Sequence, residues 1–238
     1  MDEIEWWEFE TSAEMAEQAA GDIGFVVESA LEAHGDARLA LAGGDDAEPV
    51  YAALAKAKGF DFAKLTIVPT DDRLVGLSDP LSRHRALSGW FGAKGAEIVS
   101  LVDEAALSDR QEAGRLADAR LSLIHWPLDL ALLTLDEDGN TAGIFPGPDF
   151  DRAVAGPRER RAVGLRPNPM PEAAAADRVT LTVAALGSAR AVMIVLAGAA
   201  KRELLERAIK EGPLSSVPIG RVLAGLEVPI DIFWSERA

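Results

Sequence analysis

The chain has 238 residues, 48% of them hydrophobic, and a formal net charge of −15. That length suits one domain spanning residues 1–238, and the apolar content supplies a core, which excludes disorder as the reading. The charge argues against nucleic acid or an anionic membrane as partner, and the absence of cysteine excludes disulfides, thiolate catalysis and cysteine metal sites.

Residues 1–7 are acidic and lack a basic segment followed by an apolar run. No stretch approaches the roughly 20 apolar residues of a membrane span, so a cytoplasmic location is expected. Apolar strand-like runs then alternate with amphipathic segments, the pattern of a mostly parallel α/β sheet. Ser12 stands as N-cap of a first helix reaching His34-Gly35, with Ile23, Val26, Val27 and Leu31 at helical spacing. Residues 39–42 read as a short buried strand, and 49–58 as a helix with Pro49 in its first turn. Strands follow at 65–68 and 97–101, then a helix over 109–124. Residues 128–133 form a buried strand that breaks into an acidic, glycine-containing loop. The proline- and arginine-rich segment 150–171 reads as a connection within the domain. Residues 179–183 and 192–196 are strands, 200–209 a helix, and 230–234 a closing strand. Trp6, Trp7, Trp90, Trp126 and Trp234 are read as packing residues.

Four loops follow strand ends, where open parallel sheets hold their ligands. The first is Gly43-Gly44-Asp45-Asp46 before a helix. Its glycines let backbone N–H groups turn toward a phosphate, whereas its aspartates suit helix capping and repel a phosphate by about 1–4 kcal/mol at contact. The second is Asp71-Asp72-Arg73-Leu74-Val75, continuing to Ser82-Arg83-His84; an Asp-x-Arg here serves either as an ion pair or as an anion site. The third runs from Asp136 to Pro146 around Asp138-Gly139-Asn140. Asn140 hydrogen-bonds and tolerates turn conformations, but takes no proton at neutral pH. The fourth is Arg178-Val179-Thr180-Leu181-Thr182, leading to Gly198-Ala199-Ala200-Lys201. The acids Asp45, Asp46, Asp71, Asp72, Asp136 and Asp138 either cap helices and turns or gather on a divalent cation or cationic substrate.

These loops together resemble the 6-phosphogluconolactonase signature. The family carries a strand followed by Gly-x-Gly-x-Asp-Gly-His-Thr-Ala-Ser-x-Phe-Pro, which Asp138, Gly139, Thr141, Ala142, Phe145 and Pro146 match. Its Ser-Gly-Gly loop is matched by Gly43, Gly44 and Tyr51, and its Asp-Glu-Arg-x-Val segment by Asp71, Arg73 and Val75, with Ser82 beyond. Arg178, Thr180, Leu181, Thr182, Gly198 and Lys201 match the last segment. Asn140 stands at the motif's histidine, Thr134 and Asp136 at its leading glycines, Asp45 and Asp46 at hydroxyl positions, and Arg83 at its asparagine.

The resemblance implies a doubly wound, mostly parallel α/β sheet flanked by helices with a small additional lobe, the fold shared with glucosamine-6-phosphate deaminases. It also implies a hydrolase that opens a phosphorylated sugar lactone to the free acid with water, without metal or organic cofactor, as a monomer or weak homo-oligomer. Asp71, Asp138 and Asn140 are then the expected catalytic residues, with Asp138 the substitute for the general-base histidine. Gly43, Gly44, Asp45, Arg73, Arg83, Arg178 and Lys201 are expected around the substrate. Two alternatives stay open: a catalytically impaired paralogue that binds a ligand or partner, and a lactonase redirected to a different, non-phosphorylated substrate.

Overall fold

The computed structural model describes residues 4–237. Its strands in chain order are β1 (Ile4–Thr11), β2 (Ala37–Leu41), β3 (Leu65–Pro69), β4 (Asp71–Arg73), β5 (Glu97–Ile98), β6 (Leu130–Thr134), β7 (Ala162–Leu165), β8 (Arg178–Leu181), β9 (Val192–Ala197) and β10 (Ile230–Arg237). Seven of them form one parallel sheet in the order β1-β10-β9-β6-β2-β3-β5. The other three form an antiparallel sheet, β4-β8-β7, which is the small additional lobe.

The central strands read as unbroken apolar runs because both faces are covered. Leu39, Leu41, Leu130 and Leu132 pack into one buried cluster, with Met15, Ile23 and Val27 of α1 (Ser12–His34). Ala40, Ala131 and Leu133, one residue out of phase, pack into the other with Ala113, Ala117 and Leu121 of α4 (Arg110–Leu121). Alternation along a strand sends neighbours to opposite faces, so a doubly wound sheet needs apolar residues at both phases. α2 (Glu48–Leu54) and α3 (Arg83–Phe91) lie with α1, while α7 (Ala199–Glu211) and α8 (Pro218–Ala224) lie with α4.

Several expectations are corrected. Thr11, not Ser12, caps α1, its hydroxyl accepting from the Glu14 N–H at 3.3 Å, and Gly35 closes the helix in the left-handed conformation. Residues 4–11 form β1, which sequence reading passed over because Glu5, Glu8 and Glu10 interrupt its apolar pattern. Acids on an edge strand discourage pairing with another chain. The strand expected over 97–101 pairs only at Glu97 and Ile98. The connection 150–171 contains α5 (Phe150–Val154) and β7. Trp7 is half exposed on the edge strand, where one face of its ring stacks on Phe233 with centroids 6.1 Å apart.

The small sheet is fixed at the carboxyl end of the large one. The chain leaves β3 through Thr70, whose N–H donates to Leu41 O (3.1 Å) and whose carbonyl accepts from Leu181 N–H (2.9 Å). On its far side α4 presses directly onto β7: a Cβ added at Gly164 would lie 1.7 Å from Arg110 O. Only glycine permits that approach.

Candidate active site

A period of two and one antiparallel register assemble the first part of the site. Asp71 pairs with Thr180 and Arg73 with Arg178 across β4 and β8. Residues i and i+2 share a face of a strand, as do directly opposed residues, so these four polar side chains project together. They project over the loop that leaves β6. The Thr180 hydroxyl donates to Ala142 O, and the Arg178 guanidinium lies 5.3 Å from the Phe145 ring centroid. Gly143, at φ +63°, lies so close beneath Asp71 that an added Cβ would meet its carboxylate at 2.5 Å. Asp72 points the opposite way and is fully buried. Its carboxylate accepts from the N–H groups of Arg73 (2.8 Å), Arg83 (2.6 Å) and His84 (2.9 Å), which anchors the start of α3.

That anchoring delivers Arg83. Its guanidinium lies flat against the α-carbon of Gly43, where any Cβ would stand 2.1 Å from Cζ. Beneath, the buried Tyr51 hydroxyl donates to Ala42 O and its ring packs edge-on against Phe91 (5.6 Å), which fixes the turn after β2. The Thr134 hydroxyl donates to Gly43 O (2.8 Å), tying the ends of β2 and β6 together. Neither N–H of the Gly43-Gly44 pair donates to an acceptor among the described residues.

The loop after β6 is closed by Asp136 N–H to Asn140 O (3.0 Å), Gly139 N–H to Asp136 O (2.9 Å) and the Thr141 hydroxyl to Thr134 O (2.8 Å). Asn140 is buried, and its Oδ1 has no hydrogen-bond partner among the described residues. The Nε atoms of Arg73 and Arg83 are likewise buried without a partner. Buried polar atoms are almost always satisfied in folded proteins. Three such orphans at adjoining strand ends are therefore informative.

The electrostatics agree. Burial holds the Arg73 guanidinium below its usual range, and the Arg83 charge lowers it further, against Asp71, Asp72 and Asp136. Burial does the same to Arg178, where Asp71 and Asp136 oppose Arg73 and Arg83. All remain cations at physiological pH. Asp136 is exposed, and its carboxyl is raised by desolvation from the surrounding protein and then by the Asp71 charge, against Arg83, Lys201 and Arg73. The ammonium of Lys201, on the first turn of α7, is bound by Asp46 at 2.7 Å.

The structure thus brings together Asp71, Arg73, Arg83, Arg178, Gly43, Gly44 and Asn140, with Lys201 beside them but engaged. Asp45 and Asp138 are exposed and their carboxylates hold no hydrogen-bond partner among the described residues, and the same is true of Asp136. Sequence reading treated Asp46 and Asp136 as cap or turn acids or as ligands of a cation, and did not anticipate the pairing of Asp46 with Lys201. Among the described residues, no three His, Asp or Glu side chains are grouped as cation ligands, which corrects the cation-site alternative. No described helix is long and apolar enough to cross a membrane. A roomy surface cavity of about 630 Å³ lies elsewhere, lined by Arg38, Glu97, Arg120 and His125. Its arginines are already paired, Arg38 with Asp36 and Arg120 with Asp103, so it offers no free guanidinium to an anion.

A parallel sheet capped by a small antiparallel one, with cations collected at the strand ends, defines a class. The chain belongs to the family described as glucosamine-6-phosphate isomerases/6-phosphogluconolactonase, which it matches over residues 10–230. Within that family it is 30% identical to the 6-phosphogluconolactonase of Mesorhizobium japonicum, over 97% of this chain and 94% of that one. It is 29% identical to the 6-phosphogluconolactonase of Rhizobium meliloti, over 95% and 97%. The crystal structure of a 6-phosphogluconolactonase from Shewanella baltica superimposes with a TM-score of 0.88 at 25% identity, covering 98% of both chains.

Proposed function

We propose that the protein is a lactone hydrolase that opens 6-phosphogluconolactone, or a closely related phosphosugar lactone, to the free acid. The observation that carries this reading is the convergence of Arg73, Arg83 and Arg178, two of them with buried Nε atoms that no protein acceptor satisfies. Uncompensated buried guanidinium groups are costly, and an anionic ligand removes the cost. Arg73, Arg83 and Arg178 bind the phosphate in this reading, with the free N–H groups of Gly43 and Gly44 as further donors. Asp71, which shares a face with Arg73, holds that guanidinium toward the substrate. Asn140 accepts from a sugar hydroxyl through its unpartnered Oδ1. Water adds to the ester carbonyl, the ring C–O bond breaks, and the hydroxy acid leaves. The reading carries with it a cytoplasmic enzyme without a metal or organic cofactor, monomeric or weakly self-associating.

One observation favours a second reading. Asp46 occupies Lys201, which leaves that ammonium unavailable to a phosphate and suits a lactone with less negative charge. Freshly generated 6-phosphogluconolactone and an unphosphorylated sugar lactone, each assayed against its spontaneous hydrolysis, separate the two. The first reading predicts a kcat/KM at least 10-fold higher for the phosphorylated substrate. A preference for the neutral lactone supports the second, and no acceleration of either overturns both.

A further inference from the structure

Asp46 and Lys201 meet at 2.7 Å across the carboxyl end of β6. In the sheet order β9-β6-β2, Asp46 belongs to the loop after β2 and Lys201 to the helix after β9, so the pair bridges the strand between them. Asp46 stands in a turn closed by Ala47 N–H to Gly44 O (3.1 Å), three residues beyond the Gly43 that Arg83 covers. Lys201 is placed from the other side. Helical side chains lean toward the helix N-terminus, which here starts at the strand end. Leu204, three residues on and so on the same face, packs against the loop after β6: a Cβ added at Gly139 would lie 3.2 Å from its Cδ2. The ammonium is thereby held beside the loop that carries Asn140, and its carboxylate partner beside the glycine turn under Arg83.

This pair is not a solvated surface contact. The Lys201 and Asp46 side chains are only 21% and 11% exposed, whereas Arg158 and Glu227, 3.8 Å apart, are 88% and 86% exposed. Water screens the second pair and hardly reaches the first. Lys201 therefore has its counter-ion within the fold, in contrast to Arg73 and Arg83, whose buried Nε atoms have no acceptor. A ligand oxygen could reach the remaining donors of the ammonium only alongside the Asp46 carboxylate, and like charges at contact repel.

Resting on the phosphosugar reading above, we propose that Asp46 is a specificity-determining residue: its carboxylate stands in for a ligand anion at Lys201. The site then recognises a phosphorylated sugar acid through its arginines alone, and prefers phosphate less strongly than its four cations would allow. A neutral side chain at position 46 releases Lys201 as a fourth cation, and the gain falls on the phosphorylated ligand.

The test is a double-mutant cycle read by calorimetric titration of 6-phosphogluconate and of gluconate, which differ by the phosphate. The proteins are the wild type, Asp46→Asn, Lys201→Met and the double variant, at one ionic strength. Asp46→Asn is expected to lower the Kd for 6-phosphogluconate about 10-fold or more and to leave that for gluconate within about three-fold. In the double variant the gain disappears, because the released ammonium is its source. An Asp46→Asn protein that binds 6-phosphogluconate no better than the wild type overturns the assignment, as does an equal gain for both ligands or a gain that survives Lys201→Met. If none of the four proteins binds 6-phosphogluconate, the anion site and this assignment fall together. Because the readout is binding, a wild type without lactonase turnover fails the reading above and not this one. Melting temperatures confirm that each variant is folded, and Asp46→Ser, which removes the carboxylate with less bulk, keeps the test decisive should asparagine disturb the turn.

Discussion

Two clusters of arginine and aspartate sit within this fold, and they are built on opposite lines. Around Asp149, every lone pair has a claimant: Arg110 Nε at 2.9 Å, Gln111 Nε2 at 3.0 Å, the Arg166 N–H at 3.2 Å and Arg152 Nη1 at 3.4 Å. Burial alone would raise the Asp149 carboxyl, but Arg110 and Gln111 outweigh it and hold the group below its ordinary range. At the strand ends, Arg73, Arg83 and Arg178 share the space of Asp71 and Asp136, yet the Nε atoms of Arg73 and Arg83 go unmet. The first cluster is complete without any other molecule. The second has donors left over, which the function proposed above assigns to an anionic ligand. Charge satisfaction, rather than charge count, separates a structural network from a binding site.

Exchanging one residue in each cluster sharpens the contrast most. Asp149→Asn is expected to cost about 3 kcal/mol of stability by stranding Arg110, with kcat/KM per folded molecule retained. Arg83→Met is expected to do the reverse, lowering kcat/KM about 10²-fold, on the order of 2–3 kcal/mol, without loss of stability. Denaturant unfolding and steady-state kinetics on both variants read this directly; equal losses in both measurements for either variant would erase the distinction.

Gly143→Ala should come next. The left-handed backbone and the overlap with Asp71 together cost about 1–3 kcal/mol, and the displaced carboxylate lowers activity as well. A crystal structure with Asp71 unmoved would refute that coupling.

The smallest effect is in pH dependence, where the clusters carry opposite signs. The folded carboxyl of Asp149 lies below its unfolded value, so its stabilisation is present above about 3.8 and is lost as pH falls through the lowered value. Asp136 lies above its unfolded value, so the folded state holds its proton more tightly and gains stability as pH falls through the raised value toward 3.8. Asp136→Asn should therefore raise the melting temperature at neutral pH, whereas Asp149→Asn should lower it there and converge on the wild type in acid.

The contrast also explains what the sequence discloses. β2, β6 and β9 were legible because burial on both faces writes them as continuous apolar runs, and Arg73 and Arg178 because each sits in a recognisable motif. β4 was not legible: three residues, all polar, have no periodicity to read, yet its register is what sets Arg73 against Arg178. The contact of Arg83 with Gly43 arises from the N–H groups gathered on Asp72, a tertiary arrangement with no local signal. The Asp46–Lys201 pair joins positions 155 residues apart. Asp138 fits the motif, but the turn leaves it exposed and without a hydrogen-bond partner among the described residues.

The central claim, that this surplus of cations exists to hold an anionic sugar, is tested most directly by titrating 6-phosphogluconate against the melting temperatures of the wild type and Arg83→Met. The account predicts a saturating rise for the wild type, equivalent to about 2.7 kcal/mol at a concentration of 100 Kd. It predicts the same rise for Arg83→Met only at concentrations at least 10-fold higher. Superimposable curves for the two proteins, or no rise in the wild type, would contradict it.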